Sequence, residues 1–135
     1  MPVPVIPDLP TAEVSAFLPS GATQQIKSSG NKSAATGTAT IPATSGAFSY
    51  LEGFEVTGSG ATSSSVIQVV VTDGTWTVTY DMVVPAGVLV GATALAIRFA
   101  RPLKSTAANT AISVTMPSFG SGNTNSCVNA VGYTL

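Results

Sequence analysis

The chain has 135 residues, of which only 8% are charged: five basic against six acidic, for a formal net charge of −1. Average domains carry about 25% charged residues, so the polarity of this surface comes instead from hydroxyls and backbone, supplied by sixteen Ser, eighteen Thr and thirteen Gly. Without a basic excess there is no electrostatic footprint for nucleic acid. With no His and a single thiol at Cys127, intrachain disulfides, imidazole or thiolate metal sites and Ser–His catalysis drop out together.

Residues 1–20 read as a unit of their own. MPVPVIPDLP cannot form a helix, because each proline fixes its own φ and pushes its predecessor toward extended geometry. An extended arm follows, with Val3, Val5, Ile6 and Leu9 as apolar teeth and a reach of roughly 30 Å over ten residues at about 3.1 Å each. Thr11 then caps a short helical turn that puts Val14, Phe17 and Leu18 on one face, ended by Pro19-Ser20-Gly21. With no Lys or Arg before Lys27 and four prolines among its apolar residues, the segment does not read as a secretion signal.

From residue 21 to 135 the pattern is that of a β domain. The small, Thr-rich segments 22–27 and 33–41 are the first two strands, and Phe48 to Thr57 is a third, with Tyr50, Phe54 and Val56 in one register. Val66–Val71 is nearly all apolar, as expected of a strand covered on both faces or packed at a subunit contact. Asp73-Gly74 follows as a hairpin signal. The plainest strand is 75–84, where Trp76, Val78, Tyr80, Met82 and Val84 alternate with Thr75, Thr77, Thr79, Asp81 and Val83 at period two. The stretch Val83–Ala96 is too short and too interrupted by Pro85, Gly87 and Gly91 to cross a membrane as a helix; it reads as a strand end, a turn and the next strand. Leu95, Ile97 and Phe99 give that strand a buried face. Ile112, Val114 and Met116 mark another, and Asn125–Leu135 the last, with Val131, Tyr133 and Leu135 opposite Val128. Pro42, Pro85, Pro102 and Pro117 fall at strand ends, where a missing amide donor costs least. Eight antiparallel strands in this length predict an all-β, two-sheet sandwich. The jelly roll is the expected form, with an immunoglobulin-like connectivity as the alternative.

The chemistry-bearing residues give no convergent site. Gly58-Ser59-Gly60-Ala61 and Gly120-Ser121-Gly122-Asn123 begin like phosphate loops but lack the third glycine and the following helix, so both read as flexible turns. Glu52 and Glu55 point to opposite faces of a regular strand and cannot pair without a bulge. Asp73 belongs to the hairpin turn, and Asp81 lies on a Thr face; both acids read as solvated or as ion-pair partners of Arg98 and Arg101. Trp76 reads as core, and Cys127 as a small buried hydrophobe. No catalytic, cofactor or metal residue is expected.

The run from Ser49 to Gly87 and onward to Leu135 carries Gly53-Phe54-Glu55-Val56-Thr57-Gly58, Val84-Pro85-Ala86-Gly87, Ile97-Arg98-Phe99, Pro117-Ser118-Phe119-Gly120-Ser121-Gly122-Asn123-Thr124 and a closing Gly132-Tyr133. Over residues 48–135 it resembles the small capsid cement (head decoration) proteins of tailed bacteriophages. The resemblance implies a jelly-roll structural protein on the outer surface of the virion, made in the bacterial host cytoplasm, with the major capsid protein and further copies of itself (a dimer or trimer) as partners. Nucleic acid, membrane, cofactor and catalysis have no place in that expectation. The arm residues Val3, Val5, Ile6, Leu9, Val14, Phe17 and Leu18 are its candidate contacts with capsid or neighbouring subunit. The competing reading is a carbohydrate- or receptor-binding module on the virion surface or tail, using the loops near 58–65 and 118–126 with Phe119, Asn123 and Asn125 as the sugar-facing group.

Overall fold

A computed structural model describes residues 18–120 and 125–135. The arm and its helical turn therefore lie outside the described residues, except for Leu18, Pro19 and Ser20. Eight strands occur in chain order: β1 (Thr23–Ser28), β2 (Gly37–Ile41), β3 (Ser49–Ser59), β4 (Ser65–Thr72), β5 (Thr77–Val84), β6 (Leu95–Lys104), β7 (Ile112–Met116) and β8 (Asn125–Thr134). They form two four-stranded antiparallel sheets, ordered β1-β8-β3-β6 and β2-β7-β4-β5, which makes the domain a β-sandwich. No described residue is helical.

Period-two sequence becomes a core because alternate side chains of both sheets point inward. Leu51, Phe54, Val56, Val128 and Ala130 of one sheet meet Ile41, Val69, Val71, Met82, Val84, Ile112, Val114 and Met116 of the other. Burying a side chain of this size contributes about 1.5–3 kcal/mol. Leu95, Ile97 and Phe99 are only half-buried against that core, because β6 is an edge strand.

Several expectations need correction. Val66–Val71 is covered on one face only: Ile67, Val69 and Val71 are buried while Val66 and Gln68 are exposed. Trp76 lies outside β5, in the four-residue turn that joins Thr72 to its partner Thr77, and is half-buried. The register of β3 shifts between Leu51 and Gly53, so Tyr50 lies on the outer face while Phe54 and Val56 point inward. A bulge inserts one unpaired residue and moves everything after it by one position. Opposite the same irregularity, β6 pairs Arg98 with Gly53 and Leu103 with Leu51, which leaves Phe99–Pro102 out of register. Pro102 therefore sits inside a strand, at an edge and an irregularity where its missing donor is tolerated.

Gly58-Ser59-Gly60-Ala61 is no flexible turn either. Gly58 and Ser59 complete β3, Ala61 is buried, and this segment receives the β5–β6 loop.

Candidate interaction surface

The outer face of β2-β7-β4-β5 is built from the residues that alternate with the core. Cross-strand pairs tile it: Thr38 with Thr115 (3.3 Å), Thr40 with Ser113 (3.3 Å) and Gln68 Nε2 donating to Asp81 Oδ1 (3.3 Å). These pairs satisfy much of the polar side-chain capacity of the face locally. Asp81 is the only Asp, Glu, Lys or Arg in these four strands. A shallow depression of about 640 Å³ runs between Thr36, Val66, Gln68, Val70, Thr115 and Pro117.

At one end the face turns apolar. Val66 pairs directly with Val83, and these two are 62% and 69% exposed. The β5–β6 loop exposes further apolar side chains, Val88 at 78% and Leu89 at 96%. Its base is fastened by backbone bonds: Gly87 N to Ala61 O (2.9 Å), Gly60 N to Val90 O (3.3 Å) and Ala92 N to Gly58 O (2.9 Å). Val90 N returns to Gly87 O at 3.2 Å, closing a tight turn with Val88 and Leu89 at its tip. The brace thus holds Val88, Leu89 and Val90 out toward solvent, while Val66 and Val83 add exposed apolar area on the sheet itself. Pre-ordering of this kind removes part of the entropy cost of association.

Phe119 packs beneath that scaffold. It is buried, its ring lying where a Cβ on Gly58 would stand. The exposed aromatic required by the sugar-binding reading is therefore absent at this position. Asn125 is exposed and accepts from Asn31 Nδ2 at 3.1 Å, while Asn123 lies outside the described residues.

The carboxylates are scattered by role. The bulge puts Glu52 beside Tyr50 and Tyr133 on the outer face of β3, and Glu55 is exposed on that face too. The condition for convergence is thus met in direction, although nothing bridges the two. Asp73 is a staple. Its Oδ1 accepts from Thr75 N (2.8 Å) and Trp76 N (3.0 Å), and its Oδ2 accepts from Thr106 N at 2.6 Å. Burial pushes its carboxyl upward, but the hydrogen bonds from Thr106, Trp76 and Thr75 outweigh this and hold it well below the ordinary carboxylate range. The expected solvated acid is instead what ties the β4–β5 turn to the β6–β7 loop. Trp76 Nε1 reinforces the tie by donating to Lys104 O at 3.2 Å. Arg98 and Arg101 are exposed and make no ion pair among the described residues. No group of three or more potential metal ligands exists among the described residues.

On the opposite sheet the outer face is aromatic. Tyr50 and Tyr133 stack with centroids 4.6 Å apart and planes at 16°. Lys104 Nζ stands 3.9 Å from the Phe48 ring centroid and 5.8 Å from that of Tyr50. Burial, with Tyr50 and Glu52 nearby, pushes the Tyr133 hydroxyl upward. Cys127 is half-buried rather than core, with Ser28 Oγ at 3.5 Å and Asn129 Oδ1 at 3.6 Å.

Of the candidate arm contacts, Leu18 alone is described, half-buried ahead of β1. Val3, Val5, Ile6, Leu9, Val14 and Phe17 lie outside the described residues. The patch at Val66, Val83 and Val88–Val90 was not singled out from sequence; its one signal was three apolar residues in a row between Gly87 and Gly91. No family model, no curated protein and no solved structure matches the chain.

Proposed function

We propose that this protein is a capsid cement (decoration) protein of a tailed phage, a structural and non-catalytic component of the outer virion surface. The observation that carries this reading is the set of exposed apolar side chains, Val66 and Val83 on the sheet and Val88, Leu89 and Val90 on the braced β5–β6 loop, which this proposal takes as one ridge. Such a surface suits a broad apolar contact with another protein. The ridge is the part that meets the shell in this proposal. Binding there draws on burial of apolar area, about 25 cal/mol per Å² before ordering costs. Many copies on one shell multiply modest contacts into a large resistance to internal pressure.

A jelly-roll connectivity belongs to the same proposal. What supports it is the strand order, 1-8-3-6 in one sheet and 2-7-4-5 in the other, in which successive strands cross between sheets except at the β4–β5 hairpin, as two Greek-key halves require. The N-terminal teeth Val3, Val5, Ile6 and Leu9 add contacts to the capsid protein or a neighbouring copy once the protein is seated.

Sedimentation with undecorated heads of the encoding phage tests the reading. The expected result is saturable binding that changes less than about twofold between low and high salt, since apolar contacts are not screened. Absence of co-sedimentation, or binding abolished by salt alone, would overturn it.

A further inference from the structure

We propose that β5 is a self-association edge: two copies pair β5 with β5, antiparallel about a two-fold axis, and join their β2-β7-β4-β5 sheets into one. The inference goes beyond the cement reading and does not depend on it.

The four sheet edges are unlike one another. An exposed edge strand offers unpaired backbone groups to any other strand, and proteins block this with short strands, prolines, irregularities or charges, inward-pointing ones included. β1 carries Lys27 at an inward-pointing position, opposite the buried Ala130. β2 has five residues and is stopped by Pro42. β6 carries Arg98, Arg101 and Lys104, contains Pro102 and shifts register against β3. β5 has none of these devices. Its eight residues, TVTYDMVV, include no Pro, Gly, Lys or Arg and pair with β4 from Thr77 to Val84 without a shift. Six of the eight are β-branched or aromatic, the types that favour extended pairing. Its one charge, Asp81, accepts from Gln68 Nε2 at 3.3 Å, which draws it toward β4 and away from the free edge. Among the described residues, no backbone bond links β5 to any strand or loop other than β4.

The inner layer is also left uncovered on this side. β5 and β6 run beside each other: Trp76 Nε1 reaches Lys104 O at one end, and Met82 and Val83 share a depression with Ala94 and Leu95 at the other. Val71 and Val69 of β4 and Val56 and Phe54 of β3 are buried, yet their cross-strand partners are not. Tyr80, Leu95 and Ile97 are only half-buried, and Val78 is 37% exposed. A strand added to the free edge of β5 enters on this side and points alternate side chains at that layer.

β5 itself meets the requirements of the added strand. Its inward positions, Val78, Tyr80, Met82 and Val84, are all apolar. A strand paired antiparallel with its own copy gives and receives identical bonds, the isologous arrangement of a two-fold dimer. Keeping both apolar sets on one face requires the axis to pass through a residue position, and the widest overlap centres on Tyr80 or Asp81. The second choice sets two carboxylates directly opposite, which is destabilising. Centring on Tyr80 places Thr79 opposite Asp81 and Val78 opposite Met82.

Analytical ultracentrifugation of the full-length protein tests this. The edge is short, so a micromolar association is expected, and at about 0.1 mM the mass should be near twice 13.5 kDa. Val78→Lys copies onto β5 the inward charge that guards β1 and should weaken association at least about tenfold, whereas Gln24→Lys on β1 should leave it unchanged. Hydrogen exchange of the unmodified protein needs no variant to fold. Amides within 77–84 should exchange at least about threefold more slowly at about 0.1 mM than at about 1 μM, with β1 unaffected. A monomer at the higher concentration would overturn the proposal. So would a dimer indifferent to Val78→Lys, or concentration-dependent protection that appears elsewhere and not in 77–84. Heads are absent from these measurements, so their outcome is independent of the cement proposal.

Discussion

Phe119 packs against the segment that anchors the base of the β5–β6 loop, and its removal tests that packing quantitatively. The side chain is buried and fills the space above Gly58, and Gly58 O in turn accepts from Ala92 N at the base of the β5–β6 loop. Phe119→Ala removes a fully buried aromatic ring and is expected to cost about 3–5 kcal/mol. At roughly 2.1 cal/mol/K of unfolding entropy per residue, each kcal/mol moves the midpoint of a chain this long by about 3.5 °C, so the drop in Tm is about 10–18 °C. Gly58→Ala makes the argument sharper. In the native background its methyl meets the Phe119 ring, with Phe119 Cζ 2.7 Å away and Asn125 O 2.8 Å away. Without the ring the first obstacle is gone. A double-mutant cycle by chemical denaturation should therefore give a favourable coupling of about 1 kcal/mol or more between the two substitutions. Additive losses, or a Phe119→Ala protein melting within a few degrees of the parent, would refute this account of the packing.

Leu89→Asp, at a side chain 96% exposed, should leave Tm almost unchanged yet weaken head binding at least about tenfold in the sedimentation assay, because it puts a charge at the centre of an apolar contact. Asp73 sets a pH dependence. Its carboxyl is held below its ordinary value of 3.8 in the folded protein, so its contribution is fully present above that value and is lost as pH falls toward the folded one. Urea midpoints should fall below about pH 4 in the parent, and less steeply in Asp73→Asn, which starts lower at neutral pH. Gly132→Ala drives a Cβ into the Tyr50 carbonyl oxygen across the β3–β8 ladder. That clash is with backbone and cannot be relieved by a rotamer change, so the variant should accumulate as insoluble protein, measured as the soluble fraction on expression.

Much of the fold could be read locally. Thr77–Val84 and Ile112–Met116 announce themselves because period-two alternation requires only the chain's own neighbours. The eight strands and their approximate limits follow the same logic. The irregularities could not be read this way. Nothing in Tyr50-Leu51-Glu52-Gly53 marks Glu52 as a bulge, since the extra residue is defined by pairing with β8 and β6, which lie far along the chain. That single shift sends Tyr50 outward to stack on Tyr133 and reverses the expected direction of Glu52.

The candidate surface was legible only in part. Composition excluded imidazole chemistry and intrachain disulfides, and it foretold a face poor in ions, because these depend on which side chains exist. Whether Val66, Val83 and Leu89 are core or surface depends on which sheet face a second layer covers, and no local pattern encodes that. Val66–Val71 is nearly all apolar in sequence, yet half of its valines face outward. Likewise Phe119 reads as an exposed loop aromatic until Gly58, 61 residues earlier, is seen to make room for it. The sequence by itself determined the strand periodicity, the proline content of the arm and the absence of His. The tertiary structure alone decided the outward-facing valines, the brace under the 87–91 turn and the hydrogen bonds of Asp73. The physical reason is that solvent exposure and register are properties of paired sheets, and a single strand does not contain its partner.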